Sequence, residues 1–150
     1  MKLKFLILFF VILLQFACKT TTNQMVQKQK EGLWVEYDTL DVVYKTIGKY
    51  QQNNQIGTWK YYRNNKLIRK EKYYKDTCKT KFYHPNGKLQ KKGYTTFEVK
   101  DHLNHWYYFG KWQYYDKNRH YLHSKYYYKG KPSDSAFTDY QENEMRFSTH

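Results

Sequence analysis

One hexapeptide pattern, Gly-x-Trp-x-x-Tyr, recurs along the chain and limits its fold more than any other feature of the sequence. Full copies begin at Gly32, Gly57 and Gly110, and a degenerate copy occupies residues 78–83. All four copies end in a tyrosine, at Tyr37, Tyr62, Tyr83 and Tyr115. Spacing of this size is typical of one supersecondary unit that is repeated, with insertions in its loops.

Each copy leads through a turn into a second strand, so the unit is interpreted as a β-hairpin. The turns contain Asn or Gly, which tolerate the positive φ that tight hairpins require; they lie at residues 63–66, 84–87 and 116–119. The segments that follow are rich in Tyr and Lys and poor in helix-favouring Ala and Leu, which favours strands; they are residues 67–74, 89–95 and 121–128. With a further turn at residues 52–55, the sequence predicts an all-β chain of consecutive antiparallel hairpins.

The repeated motif, a turn such as residues 85–89 and a Tyr-rich strand together resemble the bacterial variant of the MORN repeat (membrane occupation and recognition nexus) over residues 31–131. The resemblance implies an elongated, twisted antiparallel sheet of stacked hairpins, with a role in scaffolding, protein binding or membrane contact. Some bacterial members of the family carry an antitoxin label. The chain departs from the pattern where residues 78–83 lack both Gly and Trp, and where an insertion with charged and His residues precedes Trp106.

The N-terminus is organised like an export signal. Two lysines precede an apolar run, residues 5–14, which is too short to span a bilayer. The run is followed by Ala17 and Cys18, in an arrangement that resembles the lipobox of bacterial lipoproteins, although Leu14 and Phe16 depart from the usual pattern. The resemblance implies that a signal peptidase cuts before Cys18 and that lipid is attached to its thiol. An ordinary secretory signal and an uncleaved anchor are the alternatives.

These patterns divide the chain into four parts. Residues 1–17 are the predicted signal peptide, residues 18–30 a polar tether, residues 31–131 the hairpin repeats and residues 132–150 a tail with little pattern. The lipid on Cys18 is expected to hold the chain on the bacterial outer membrane, facing the periplasm or the cell surface.

A strong positive charge constrains the partners. The formal net charge is +14, and removal of Lys2 and Lys4 with the signal leaves 14 − 2 = +12. Such a balance favours acidic partners, which for an exported chain are an acidic protein or an anionic envelope polymer and not nucleic acid. Solubility alone would also account for the charge.

Strand alternation separates a core face from a candidate binding face. In the second copy Trp59 and Tyr61 point to one face, whereas Lys60 and Tyr62 point to the other. The first face is predicted to be the core, with an aromatic row that continues through Trp34, Phe82, Trp112 and Tyr114. The glycine before each Trp is expected to give room to the neighbouring strand. The candidate binding face consists of Tyr37, Tyr62, Tyr83, Tyr115, Lys60, Lys81, Lys88 and Lys111.

No pattern typical of an active site occurs in the sequence. There is no nucleophile elbow, phosphate loop or zinc-protease helix, and carboxylates stand singly among lysines. The pairs His102/His105 and His120/His123 would converge on a metal only in a helix. With Cys18 assigned to lipid, Cys78 has no disulfide partner and is predicted to be a small buried side chain. We therefore predict no catalytic residue, metal or cofactor.

Three classes of function remain open. The first is a non-enzymatic, membrane-anchored binding or scaffold lipoprotein of the bacterial envelope. The second is an immunity or antitoxin protein, which only the family resemblance implies. The third is an envelope protein that binds or processes glycans, because aromatic platforms also hold sugars.

Overall fold

The computed structural model describes residues 21–39, 41–100 and 103–133. Within them the chain forms one antiparallel sheet whose strands follow each other in chain order. The ten strands are β1 Gln24–Val26, β2 Gln29–Thr39, β3 Val43–Gln51, β4 Asn54–Arg63, β5 Lys66–Tyr73, β6 Thr77–Tyr83, β7 Leu89–Lys100, β8 Leu103–Tyr115, β9 Tyr121–Tyr128 and β10 Lys131–Ser133. The predicted all-β sheet of consecutive hairpins is confirmed.

The tight turns have the backbone geometry that their residues predict. Asn64 and Asn65 connect β4 to β5 with φ angles of 47° and 61°. Gln52 and Asn53 connect β3 to β4 with φ angles of 49° and 65°. Two successive residues with positive φ define the type I′ turn, whose twist matches that of the flanking strands.

The sheet begins earlier and ends later than the repeat pattern indicates. Strand β1 and the first residues of β2 lie inside residues 18–30, the segment predicted to be a tether. Asn23 joins the sheet as well, because its side chain donates to the carbonyl of Val35 at 2.9 Å and accepts from the Val35 N–H at 2.7 Å. At the other end, β10 includes Pro132 and Ser133. The predicted signal peptide, Cys18 and most of the predicted tail lie outside the described residues.

A β-bulge in three hairpins decides which side chains share a face. Ile68 has no partner in the β4–β5 hairpin, because Tyr62 pairs with Leu67 and Tyr61 pairs with Arg69. The same irregularity recurs in the β6–β7 and β8–β9 hairpins, where the residues without a partner are Gln90 and Leu122. Since side chains alternate along a strand, one extra residue moves every later side chain of that strand to the opposite face.

Two fully buried tryptophans, Trp59 and Trp112, form the core on one face, which we call the Trp face. Each ring lies against a glycine of the preceding strand, because a Cβ on Gly48 would overlap Trp59 and a Cβ on Gly93 would overlap Trp112. The expectation that the glycine before each Trp provides this room is wrong for Gly32 and Gly57. Gly57 has a φ of +63° and no atom within 4 Å of a Cβ built on it, so its role is conformational.

Aromatic contacts continue from the tryptophans along the Trp face. Tyr50 makes edge-on contacts with Trp34 and Trp59, at centroid distances of 5.6 and 4.8 Å. Phe82 lies 6.2 Å from Trp112. Most of the large rings therefore pack on this side of the sheet, as the alternation predicts, whereas the buried Phe109 is paired with Tyr94 on the opposite side. The opposite side, which we call the Lys face, carries the residues that alternate with them.

Candidate functional site

Four lysines lie directly opposite one another on neighbouring strands of the Lys face. Lys60 on β4 is paired with Lys70 on β5, Lys70 with Lys81 on β6, and Lys81 with Lys92 on β7. Directly opposed residues of antiparallel strands have Cα atoms about 4.5–5.5 Å apart. We call this set the lysine row; it crosses the middle of the sheet at right angles to the strands.

A second pair of lysines widens the row into a patch. Lys72 and Lys79 are opposite each other on β5 and β6. Lys72 follows Lys70 by two residues, and Lys79 precedes Lys81 by two. Two residues of a strand span about 7 Å, so the two sets are neighbours on the same face. Six lysines thus form one cationic surface over four strands.

The bulges create this surface. Without the extra residue at Ile68, the side chains of Lys70 and Lys72 would lie on the Trp face and that of Glu71 on the Lys face. The bulge at Gln90 decides that Lys92 and not Lys91 lies opposite Lys81. The irregularity at Ile68 therefore brings Lys70 and Lys72 to this face and removes a carboxylate from it.

The charge of the lysine patch is not compensated within the described residues. Their salt bridges join Lys30 to Glu36, Arg69 to Glu71, His120 to Asp116 and Lys129 to Glu98, and none involves the six lysines. Burial, followed by the charges of Lys79, Lys70, Lys92 and Arg119, lowers the pKa of the Lys81 ammonium below its usual range. Like charges directly opposed in a sheet are destabilising, so this arrangement costs the fold free energy.

The structure places most of the predicted binding residues on the Lys face. Lys60 and Lys81 belong to the lysine row, Tyr62 is paired with Lys45, and Lys111 is paired with Tyr126. The predicted tyrosines Tyr37, Tyr83 and Tyr115 also follow the alternation to this face. Lys88 is separate, because it lies in the exposed turn before β7.

Aromatic rings on the Lys face contact several of these ammonium groups. Lys45 lies 5.6 Å from the ring centroid of Tyr37, Lys92 lies 5.7 Å from that of Tyr115, and Lys79 lies 5.8 Å from that of Tyr94. Such cation–π contacts are attractive, and here they hold the ends of long side chains beside flat apolar surface. Tyr37 is the most accessible of these rings, with 63% of its surface exposed.

A second polar cluster lies at the centre of the Trp face, around the carboxylate of Glu71, which is only 8% exposed. Glu71 Oε2 accepts hydrogen bonds from the hydroxyls of Tyr61 at 2.6 Å and Tyr73 at 3.0 Å. Its Oε1 lies 3.4 Å from Arg69 Nε, and the Arg69 guanidinium covers the Tyr61 ring at 3.8 Å. Burial, and then the neighbouring Glu71, raises the pKa of Tyr61 above its usual range. Sequence reasoning missed this cluster, because only the bulge at Ile68 places Arg69, Glu71 and Tyr73 on the same face as Tyr61.

Cys78 and the histidines of the described residues do not form a group that could hold a metal ion. Cys78 is buried, and burial raises the pKa of its thiol to about 11, which keeps it protonated and unreactive at neutral pH. His120 lies 3.2 Å from Asp116, while His123 stacks on Tyr114. No group of three or more His, Cys, Asp or Glu side chains able to hold a metal ion occurs in residues 21–39, 41–100 and 103–133.

No protein-family model, curated protein or solved structure matches the chain. The resemblance to the MORN repeat therefore depends on the repeated motif alone. Among the residues whose structure is described, no helix has the length and apolar character needed to cross a membrane.

Proposed function

We propose that the protein is a non-enzymatic, lipid-anchored binding module of the bacterial envelope, and that its Lys face holds an anionic polymer. The observation that carries this proposal is the lysine row, in which Lys60, Lys70, Lys81 and Lys92 are opposed across four strands. The anchor is inferred from Cys18 and the apolar run before it.

The cost of the lysine row supports a binding function. Glutamine or threonine at these positions would keep the face soluble without the repulsion between opposed ammonium groups. A polyanion removes that repulsion when it binds, because each anionic group replaces a like-charged neighbour with an opposite charge. Binding free energy and relief of repulsion then act in the same direction, and added salt should weaken both.

The geometry of the row favours a linear polymer over a folded acidic protein. Successive lysines are separated by one strand spacing, about 4.7–4.9 Å, along a straight line across the sheet. A chain that carries an anionic group on each unit can follow this line from β4 to β7. The tyrosines at its sides add rigid apolar contact area at a small entropic cost.

A matched pair of triple variants tests the proposal. The chain from residue 18, with Cys18→Ser to remove the lipid, is mixed with fluorescently labelled polyphosphate, and anisotropy is followed at several salt concentrations. Lys70→Gln/Lys81→Gln/Lys92→Gln should weaken binding by about tenfold or more and flatten the salt dependence. The control changes three exposed lysines outside the patch, namely Lys28→Gln/Lys66→Gln/Lys117→Gln, and removes the same net charge.

The control separates a site from a general charge effect. Equal losses in the two triple variants would mean that only net charge matters, and the lysine row would not be a binding site. Polyglutamate in place of polyphosphate represents an acidic protein surface. If polyglutamate alone binds in a manner that depends on the row, the partner is an acidic protein and the polymer proposal is wrong.

A further inference from the structure

The degenerate copy of the repeat opens a groove on the Trp face. In the full copies the ring of Trp59 lies against Gly48 and the ring of Trp112 against Gly93. In the degenerate copy Thr80 stands at the Trp position, and it is paired with Glu71 on the preceding strand. A hydroxyl and a carboxylate thus replace an indole ring and a glycine.

The missing indole leaves a cavity of about 380 Å³, with Glu71 and Thr80 among its lining residues and the rings of Tyr61, Tyr73 and Tyr108 around them. It is continuous with a second cavity of about 540 Å³, because Gln55, Tyr73 and Trp106 line both. We call the joined space the aromatic groove. Its volume is in the range of ligand-binding clefts, which combine aromatic walls with a few placed polar groups.

Trp106 presents the accessible aromatic surface of this groove. Its ring packs against Phe97 and Tyr73, at centroid distances of 4.9 and 5.6 Å, yet 42% of the residue is exposed. Trp59 and Trp112, in contrast, are fully buried. Trp106 is therefore held in place by neighbouring rings while part of it remains open to a ligand.

The polar groups beside Trp106 are mostly uncharged or paired, and the exposed Lys75 is the one lysine among the lining residues. The side-chain amides of Gln55 and Asn104 line the groove and make no hydrogen bond with any residue that the structure describes. Each amide offers donors and an acceptor. The charges of Glu71 and Arg69 offset each other across 3.4 Å. The groove thus differs in kind from the cationic Lys face.

We propose that the aromatic groove binds a neutral oligosaccharide. The apolar C–H face of a sugar ring suits the exposed face of Trp106, and the hydroxyls at its edge need groups that both donate and accept, as Gln55 and Asn104 do. A charged ligand would find one exposed ammonium in the groove, that of Lys75, in place of the six of the Lys face, and a purely apolar ligand would leave the amides without partners. The groove and the lysine row lie on opposite faces, so this site does not depend on the proposed function.

Calorimetry and tryptophan fluorescence on the same chain from residue 18 test the site with three neutral probes: chitotetraose, cellotetraose and maltotetraose. At least one should bind saturably and change the tryptophan emission. Trp106→Ala should weaken that binding by about tenfold or more, and Trp106→Phe should restore part of it. Gln55→Ala/Asn104→Ala should weaken it without lowering the thermal midpoint, since both side chains lack internal partners. Tyr37→Ala, at the most exposed ring of the Lys face, is the control and should bind unchanged.

Two results would overturn this site. One is the absence of saturable binding of all three saccharides to the parent chain. The other is undiminished binding to both groove variants. If Trp106→Ala does not fold, Gln55→Ala/Asn104→Ala decides, because it leaves the aromatic contacts intact. Loss of saccharide binding with polyphosphate binding retained would establish two independent sites.

Discussion

The indole ring of Trp112 occupies the space that a Cβ on Gly93 would need. Gly48 and Trp59 have the same relationship two copies of the motif earlier. Both tryptophans are fully buried, so each ring is enclosed by the protein. The close approach of a ring to a glycine backbone is therefore the packing unit of this sheet, and a single methyl group should disturb it.

We expect Gly93→Ala to lower the free energy of unfolding by about 1–3 kcal/mol or more, because the added methyl group overpacks a filled site. Urea denaturation followed by circular dichroism measures the loss. Gly93→Ala/Trp112→Leu is the informative control, because the smaller side chain frees the space and the two changes should not be additive. Additive losses would mean that the methyl group added at position 93 does not overlap the space filled by the Trp112 ring.

The two core tryptophans should respond differently to the same substitution. Trp112 Nε1 donates to the carbonyl of Tyr94 at 3.0 Å, whereas Trp59 Nε1 is buried without a partner in the described part of the chain. Phe at either position removes a similar ring area, but only Trp112→Phe also removes a hydrogen bond. We expect Trp112→Phe to be the more destabilising by about 0.5–1.5 kcal/mol in urea denaturation. Equal losses would show that the bond contributes nothing.

The lysine row should reduce stability at the position where its charges are most crowded. Lys81 lies between Lys70 and Lys92, and burial and these neighbours lower the pKa of its ammonium. Lys81→Gln should raise the free energy of unfolding by about 0.2–1 kcal/mol at low salt, and the gain should shrink as salt is added. Lys66→Gln, at an exposed turn position, should change little. A lower free energy of unfolding for Lys81→Gln than for the parent protein would contradict the proposed repulsion between the opposed lysines.

Much of the hairpin architecture could be predicted, whereas the composition of the two sites could not. The strands and turns follow from local patterns such as residues 57–62 and the Asn64–Asn65 turn. The face on which Lys70 and Lys92 lie depends on bulges at Ile68 and Gln90, and no periodic signal marks an extra residue. A prediction by strict alternation therefore assigned Lys60 and Lys81 to the binding face but omitted their partners.

Long-range contacts and exposed strands could not be predicted from the sequence either. The aromatic groove joins Gln55 on β4 to Trp106 on β8, which are adjacent only once the intervening strands are in place. Strand β1 escaped prediction because it has only three residues and its two apolar ones, Met25 and Val26, are adjacent and do not alternate with polar residues. The glycine that meets Trp112 is on the preceding strand, 19 residues earlier, whereas the motif suggested the glycine two residues away.

Alkaline pH should destabilise the sheet through its tyrosines. Burial, together with neighbouring Glu71 and Tyr61, raises the pKa of Tyr73 above the ordinary 10.0, and the pKa values of Tyr61 and Tyr114 are raised too. Above pH 10 the unfolded chain releases these protons and the folded chain keeps them, so stability is complete below pH 10 and falls as pH rises. Lys81 has the opposite sign, because its folded pKa lies below 10.5, and it offsets part of the loss up to that pH.

Tyrosinate absorbance and circular dichroism, recorded in one titration, check this behaviour. A group of tyrosines should ionise only together with loss of β-structure, whereas in urea all tyrosines should ionise at a pH of about 10. Tyr61→Phe/Tyr73→Phe should reduce the number of late-ionising groups. Complete ionisation of all tyrosines with the sheet intact would contradict the burial of these hydroxyls.

The predicted lipid attachment at Cys18 has a direct test in cells that produce the protein. Cys18→Ser should abolish labelling by a palmitate analogue and leave the chain uncleaved or soluble, because lipid addition needs the thiol. Only residues 19–21 separate Cys18 from Thr22, which already bridges to Leu33 in the sheet. The lipid would therefore hold the edge of the sheet within about 14 Å of its attachment point, the reach of four extended residues.

Cys78→Ser controls for labelling elsewhere and should leave the signal unchanged. A parent protein that takes up no label would show that Cys18 carries no lipid, while the binding predictions for the Lys face and the aromatic groove would stand unchanged.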